Sequence, residues 1–213
     1  LSHYLLPEHM EYGGFCLSEW GEPDKKWHTV EREADSLAAA ILMPLQKVRD
    51  DIRKRLTPWE HIENLSNKYQ VSKMAFIVRA LTVIDNPPTV FLKFRDGRCD
   101  FRWFSKDFPI GYDYFLSYGD NCPSGSGANS IFTGNTDKVE KDSSLELWLV
   151  SELKDKNYKV SEYSIKYGDS WVLTILELYG GKDGYYDDDF EEEEHNKYLK
   201  SQKKFGFNTF YSD

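Results

Sequence analysis

The sequence predicts an α+β fold, with a helical N-terminal part followed by a small antiparallel β region. Three observations predict it. Residues 31–81 carry apolar side chains at helical spacing, with Pro44 and polar breaks between the runs. Residues 88–180 change to short runs of alternating polarity, joined at Asp96-Gly97 and Gly168-Asp169, dipeptides suited to hairpin turns. Residues 181–213 collect acid instead, most densely in Asp187-Asp188-Asp189-Phe190-Glu191-Glu192-Glu193-Glu194. The chain therefore divides into 1–86, 87–180 and an acidic tail, 181–213.

In chain order, Tyr4-Leu5-Leu6 reads as the end of an apolar helix face halted by Pro7. A polar, Gly-rich connection over 11–29 leads to an alanine-rich helix at 31–43. Its stripe is Ala34, Leu37, Ala38, Ile41 and Leu42, with Thr29 as cap and Pro44 as stop. A charged helix follows over 45–56. Two more, 59–69 and 72–81, flank Gln70-Val71. Residues 90–94 and 99–104 make the first hairpin, and 160–167 and 171–178 the second. Between them, 121–129 reads as a Pro/Gly/Ser loop and 145–150 as a short strand. The tail holds one helical stretch at 191–204 and otherwise reads as a solvated segment. There is no internal repeat.

The 213 residues suffice for one large domain or two small ones. Apolar residues make up 40% and aromatics 15%, enough to build a packed core. No stretch approaches the roughly 20 apolar residues of a membrane span, and residues 1–6 lack the basic leader and cleavage site of a signal peptide. Cys16, Cys99 and Cys122 are odd in number, widely spaced and form no CxxC pair. That argues against a disulfide framework or a cysteine zinc site and for a reducing cytoplasm. The net charge of −9 argues against tight, nonspecific DNA binding.

The segment Glu31-Arg32-Glu33-Ala34-Asp35-Ser36-Leu37-Ala38-Ala39-Ala40-Ile41-Leu42-Met43-Pro44 resembles the ExxAxxFAxxLLMP helix of ImmA/IrrE-type zinc metallopeptidases. In that family the helix follows an HExxH motif, and Leu1-Ser2-His3-Tyr4-Leu5-Leu6 resembles the end of one. Histidines at i and i+4 share a helix face and can grip one ion, with the intervening Glu as general base. The resemblance implies a zincin-like helical remnant with zinc as cofactor. His3 is then the second zinc-binding histidine and Glu31 the carboxylate ligand. Asp35, one turn on, accepts a hydrogen bond from a ligand histidine and fixes its tautomer. A His-His-Glu set leaves a fourth position open, as catalytic zinc requires.

On this reading the first His and the Glu of HExxH fall just before Leu1. The expectation is a chain cut inside the motif, with no catalytic base of its own, weak zinc binding and no hydrolysis. The intact protein is expected to be a cytoplasmic endopeptidase acting on a protein substrate such as a cognate helix-turn-helix repressor, and so to serve transcription regulation.

Plainer readings stand beside these. His3 alone would be a surface residue, as His9 and His28 are expected to be. Glu31 alone would be a first-turn acid suited to the helix dipole, and Glu33 is a rival ligand. The stretch 65–81 has helix-turn-helix texture and also resembles the segment after the metal helices of the family. Its second helix offers only Lys73 and Arg79 as basic groups, while Met74, Phe76, Ile77, Val78 and Leu81 call for burial. Structural packing is the stronger reading there and DNA reading the weaker. Asp96-Gly97, Trp103, Phe108-Pro109 and Gly125-Ser126-Gly127-Ala128 loosely resemble the family's C-terminal extension. Gly125-Ser126-Gly127 lacks the following Lys and the strand–loop–helix setting of a phosphate loop. No Ser-His-Asp or Cys-His arrangement stands at a readable spacing. The rival function is a regulatory module without catalysis, which holds a protein or DNA partner through the helix pair or the β region.

Overall fold

The computed structural model describes residues 25–52, 56–84, 87–106, 108–134, 136–150 and 158–180. The fold is mixed α+β. The described residues fall into two compact units, one ending at Pro44 and the other beginning at Leu45. Helix pair and sheet therefore belong to a single unit. The residues before 25 and after 180, which include the predicted apolar turn at Tyr4-Leu5-Leu6 and the acidic tail, lie outside the described residues. No described helix is long and apolar enough to cross a membrane.

The first unit contributes one described helix, α1 (Lys25–Leu42). It starts earlier than the expected residue 31, so Thr29 lies within it rather than capping it. Nothing between Lys25 and Glu31 breaks a helix, and the nearest breaker upstream is Pro23. At the other end Met43 N–H still reaches Ala39 O at 2.8 Å. Pro44, which has no N–H, marks the stop. The predicted stripe is buried only in part. Ala34 is 4% exposed, whereas Ile41 and Leu42 are 47% and 50% exposed.

The second unit opens with α2 (Leu45–Ile52), α3 (Trp59–Tyr69) and α4 (Lys73–Leu81). The charged run expected to reach 56 is helical to Ile52, and Leu56 is a buried, non-helical residue. Gln70 adopts the left-handed conformation at φ 55° and closes α3. Ser72 then opens α4 as its cap, its Oγ accepting from Ala75 N–H at 3.1 Å. Tyr69 stacks on Phe76 across the turn with ring centroids 6.0 Å apart. One carboxylate oxygen of Asp51 ties α2 to α3. It accepts from Lys68 Nζ and from Tyr69 OH, each at 2.6 Å.

Five strands form one antiparallel sheet in the order β2-β1-β5-β4-β3. They are β1 (Thr89–Arg95), β2 (Arg98–Phe104), β3 (Lys138–Ser144), β4 (Tyr158–Lys166) and β5 (Trp171–Gly180). Both predicted hairpins are present. Asp96 and Gly97 take φ of 49° and 75°, the two left-handed residues that a tight hairpin turn needs. Asp96 N–H donates to Ser170 O at 2.9 Å and so joins the tips of the two hairpins.

The segment between the hairpins differs from expectation. Part of the predicted loop is a short helix, α5 (Gly127–Thr133), capped by Ser126 Oγ, which accepts from Asn129 N–H at 3.0 Å. The strand expected at 145–150 is a 3₁₀ turn, Leu145–Trp148, and the strand lies just before it as β3. Leu145 and Trp148 are three residues apart, so one 3₁₀ turn sends both to the same side. They are 2% and 0% exposed. β3 is an edge strand, and its exposed Lys138, Glu140, Lys141 and Asp142 hide it from an apolar pattern search while protecting the edge.

Strand alternation defines two faces. One carries Val90, Leu92, Phe94, Val160, Glu162, Ser164, Thr174 and Leu176, all buried. α5 covers part of it so closely that a Cβ added at Gly127 would lie 2.7 Å from Val139 Cγ1 and 2.8 Å from Glu162 Oε1. Trp148 meets Phe94 on this side, and Phe104, Phe108 and Phe115 form a cluster with centroids 5.0 to 5.6 Å apart. Arg102 Nη1 gathers the intervening loop by donating to Tyr112 O, Phe115 O and Leu116 O at 2.8, 3.1 and 2.9 Å. The other face carries Phe91, Ile175 and Glu177. Thr57 Oγ1 donates to Glu177 Oε1 at 2.7 Å, and Glu60 pairs with Lys138 at 2.7 Å, so the start of α3 lies on this side.

Two outcomes follow from this packing. Gly127→Ala should destabilise the protein by about 1–3 kcal/mol through overpacking, read as a lower urea midpoint. Asp51 is held below the ordinary carboxylate range by its bonds from Lys68 and then Tyr69. A depressed acid contributes stability above its unfolded pKa and loses it as pH falls through its folded value. Asp51→Asn should therefore cost less than about 1 kcal/mol near pH 7, because the pair is partly solvated. In denaturant titrations that difference should vanish in acid.

Candidate functional site

The metal reading rests on α1, whose unbroken course past Glu31 fixes the spacing of Glu31, Glu33 and Asp35 along it. Glu31 and Asp35 stand four residues apart in one helix and so share a side of it. Glu33 stands two residues from each and falls on the opposite side. Because α1 begins at Lys25, Glu31 lies beyond the first turn, where no acidic residue occurs. Its reading as a dipole-matching acid therefore loses its basis, since that effect is confined to the terminal turn. Asp35 is exposed and Glu33 half-buried. His28 falls in the first turn of α1. His3 and His9 lie outside the described residues. Among the described residues no group of three or more His, Cys, Asp and Glu side chains is placed to hold a metal ion. A carboxylate with a second one turn further on suits a zinc ligand and a hydrogen-bond acceptor for a ligand histidine. Such a pair is not by itself a metal site, which would need imidazoles from elsewhere.

The second unit offers three other kinds of reactive group, each with a structural role. Cys99 and Cys122 are buried thiols, and burial pushes Cys99 up to about 11 and Cys122 up to about 12. A nucleophilic cysteine needs the opposite shift. Ser126, within the Gly-Ser-Gly stretch, is fully buried as the cap of α5, and Lys141 Nζ donates to Gly125 O at 2.6 Å. The helix pair turns Phe76, Ile77, Ala80 and Leu81 into the core, each at 0% exposure, and Lys73 pairs with Glu63 at 2.7 Å. These contacts suit a packing role for α4.

Two buried carboxylates went unnoticed in the sequence. Glu162 and Glu177 are both at 0% exposure, on opposite faces of the sheet. Glu162 Oε1 accepts from Ala128 N–H at 2.9 Å and Ser164 Oγ at 2.8 Å, and Ser164 in turn meets Thr174 Oγ1 at 2.9 Å. Glu162 Oε2 has no hydrogen-bond partner among the described residues. Glu177 accepts from Thr57 and from Tyr179 OH. Glu162 lies on the same face of β4 as buried Val160 and Ser164, but Tyr163 and Ile165 put the apolar signal of the sequence on the other face, so polarity alone hides it.

Glu162→Ala should leave Ala128 N–H and the Ser164 hydroxyl without their acceptor and open a cavity. A loss of about 2–4 kcal/mol is expected from denaturant melts. Cys99 and Cys122 should resist iodoacetamide between pH 7 and 9 in the folded protein and react only on unfolding, as peptide mapping of the labelled sites can check. No protein-family model matches the chain, and no curated protein matches it.

Proposed function

We propose that this chain is part of a cytoplasmic zinc-dependent endopeptidase of the ImmA/IrrE type. In this reading His3 and Glu31 ligate the ion, and Asp35 orients a ligand histidine. The observation that carries it is the position of Glu31 and Asp35: one turn apart in an unbroken helix, inside the motif-like segment that ends at Pro44. Glu31 lies too far along α1 for the helix dipole to account for it. When bound, zinc polarises a peptide carbonyl and lowers the pKa of water near neutrality. The chain's own residues hold and orient it: the two ligands fix its position, and Asp35 sets the tautomer of the imidazole beside it. The substrate is a protein, and a helix-turn-helix repressor is the partner that the resemblance favours. Helix α4 supports the fold in this reading, in line with its four buried apolar positions, Phe76, Ile77, Ala80 and Leu81.

Zinc content of the natural full-length protein tests the proposal. One equivalent of zinc is expected. Asp35→Asn should lower affinity by about 10–100-fold, and His3→Ala and Glu31→Gln by more, while Glu33→Gln should leave it unchanged. Zinc lost with Glu33 but kept with Glu31 would overturn the ligand assignment, and an apo protein at saturating zinc would overturn the metal reading altogether. Stoichiometric zinc without cleavage of a co-expressed repressor would instead identify a non-catalytic regulatory module.

A further inference from the structure

We draw no further inference here: the strongest candidate, the aromatic and cationic surface of the sheet where Phe101 stacks on Trp103 and Lys93 and Arg95 lie over the Trp171 ring, already pairs its rings and charges with one another, and nothing in the structure shows what covers it.

Discussion

The antiparallel pairing of β1 with β5 is the contact on which the second unit depends. It joins a hairpin from the first half of the unit to one from its end, setting Phe91 opposite Ile175 and Leu92 opposite Thr174. Without it there would be a two-stranded ribbon, marginal on its own in water, and a separate three-stranded sheet. With it there is a five-stranded sheet whose middle strand is buried from Val172 to Leu178. Both coverings depend on that sheet: the start of α3 meets one face at Glu177, and α5 meets the other at Glu162.

Those two meeting points are polar, which is costly inside a core. An amide or hydroxyl buried without a partner loses about 1–3 kcal/mol, and the carboxylates accept from such buried groups at Ala128, Ser164 and Thr57. Glu162 serves the first turn of α5 and a strand hydroxyl, and Glu177 serves Thr57 and Tyr179. Hydrophobic burial holds the layers together. The buried acceptors tie Ala128 and Thr57 of the covering elements to fixed positions on the sheet.

Much of this architecture was legible in the sequence, and the failures have physical causes. Asp96-Gly97 announces its hairpin because few other dipeptides accept two left-handed residues in succession. The buried runs of β1 and β5 carry nearly continuous apolar character, and β4 has enough strand-forming residues to be found despite its buried Glu162 and Ser164. β3 carries neither, since an edge strand with one partner is selected for charge rather than burial. Leu145 and Trp148 look like strand residues because spacing alone does not separate a short strand from a single 3₁₀ turn. Thr29 looks like a cap because it has the right side chain, but the helix already runs from Lys25, four residues before it. The candidate site is legible only as a motif. Glu31 and Asp35 keep the spacing that one helix face demands, whereas a zinc site is completed by imidazoles brought in by tertiary structure, which spacing within α1 cannot supply.

The central strand pairing also bears on how the protein is made. A ribosome delivers the chain from its N-terminus, so the first hairpin emerges long before the strand that seals its inner edge. Until Trp171–Gly180 arrives, β1 offers an open row of backbone donors and acceptors. Closing so large a loop is slow compared with forming a local hairpin. Shortening the chain before the last strand would make that temporary exposure permanent.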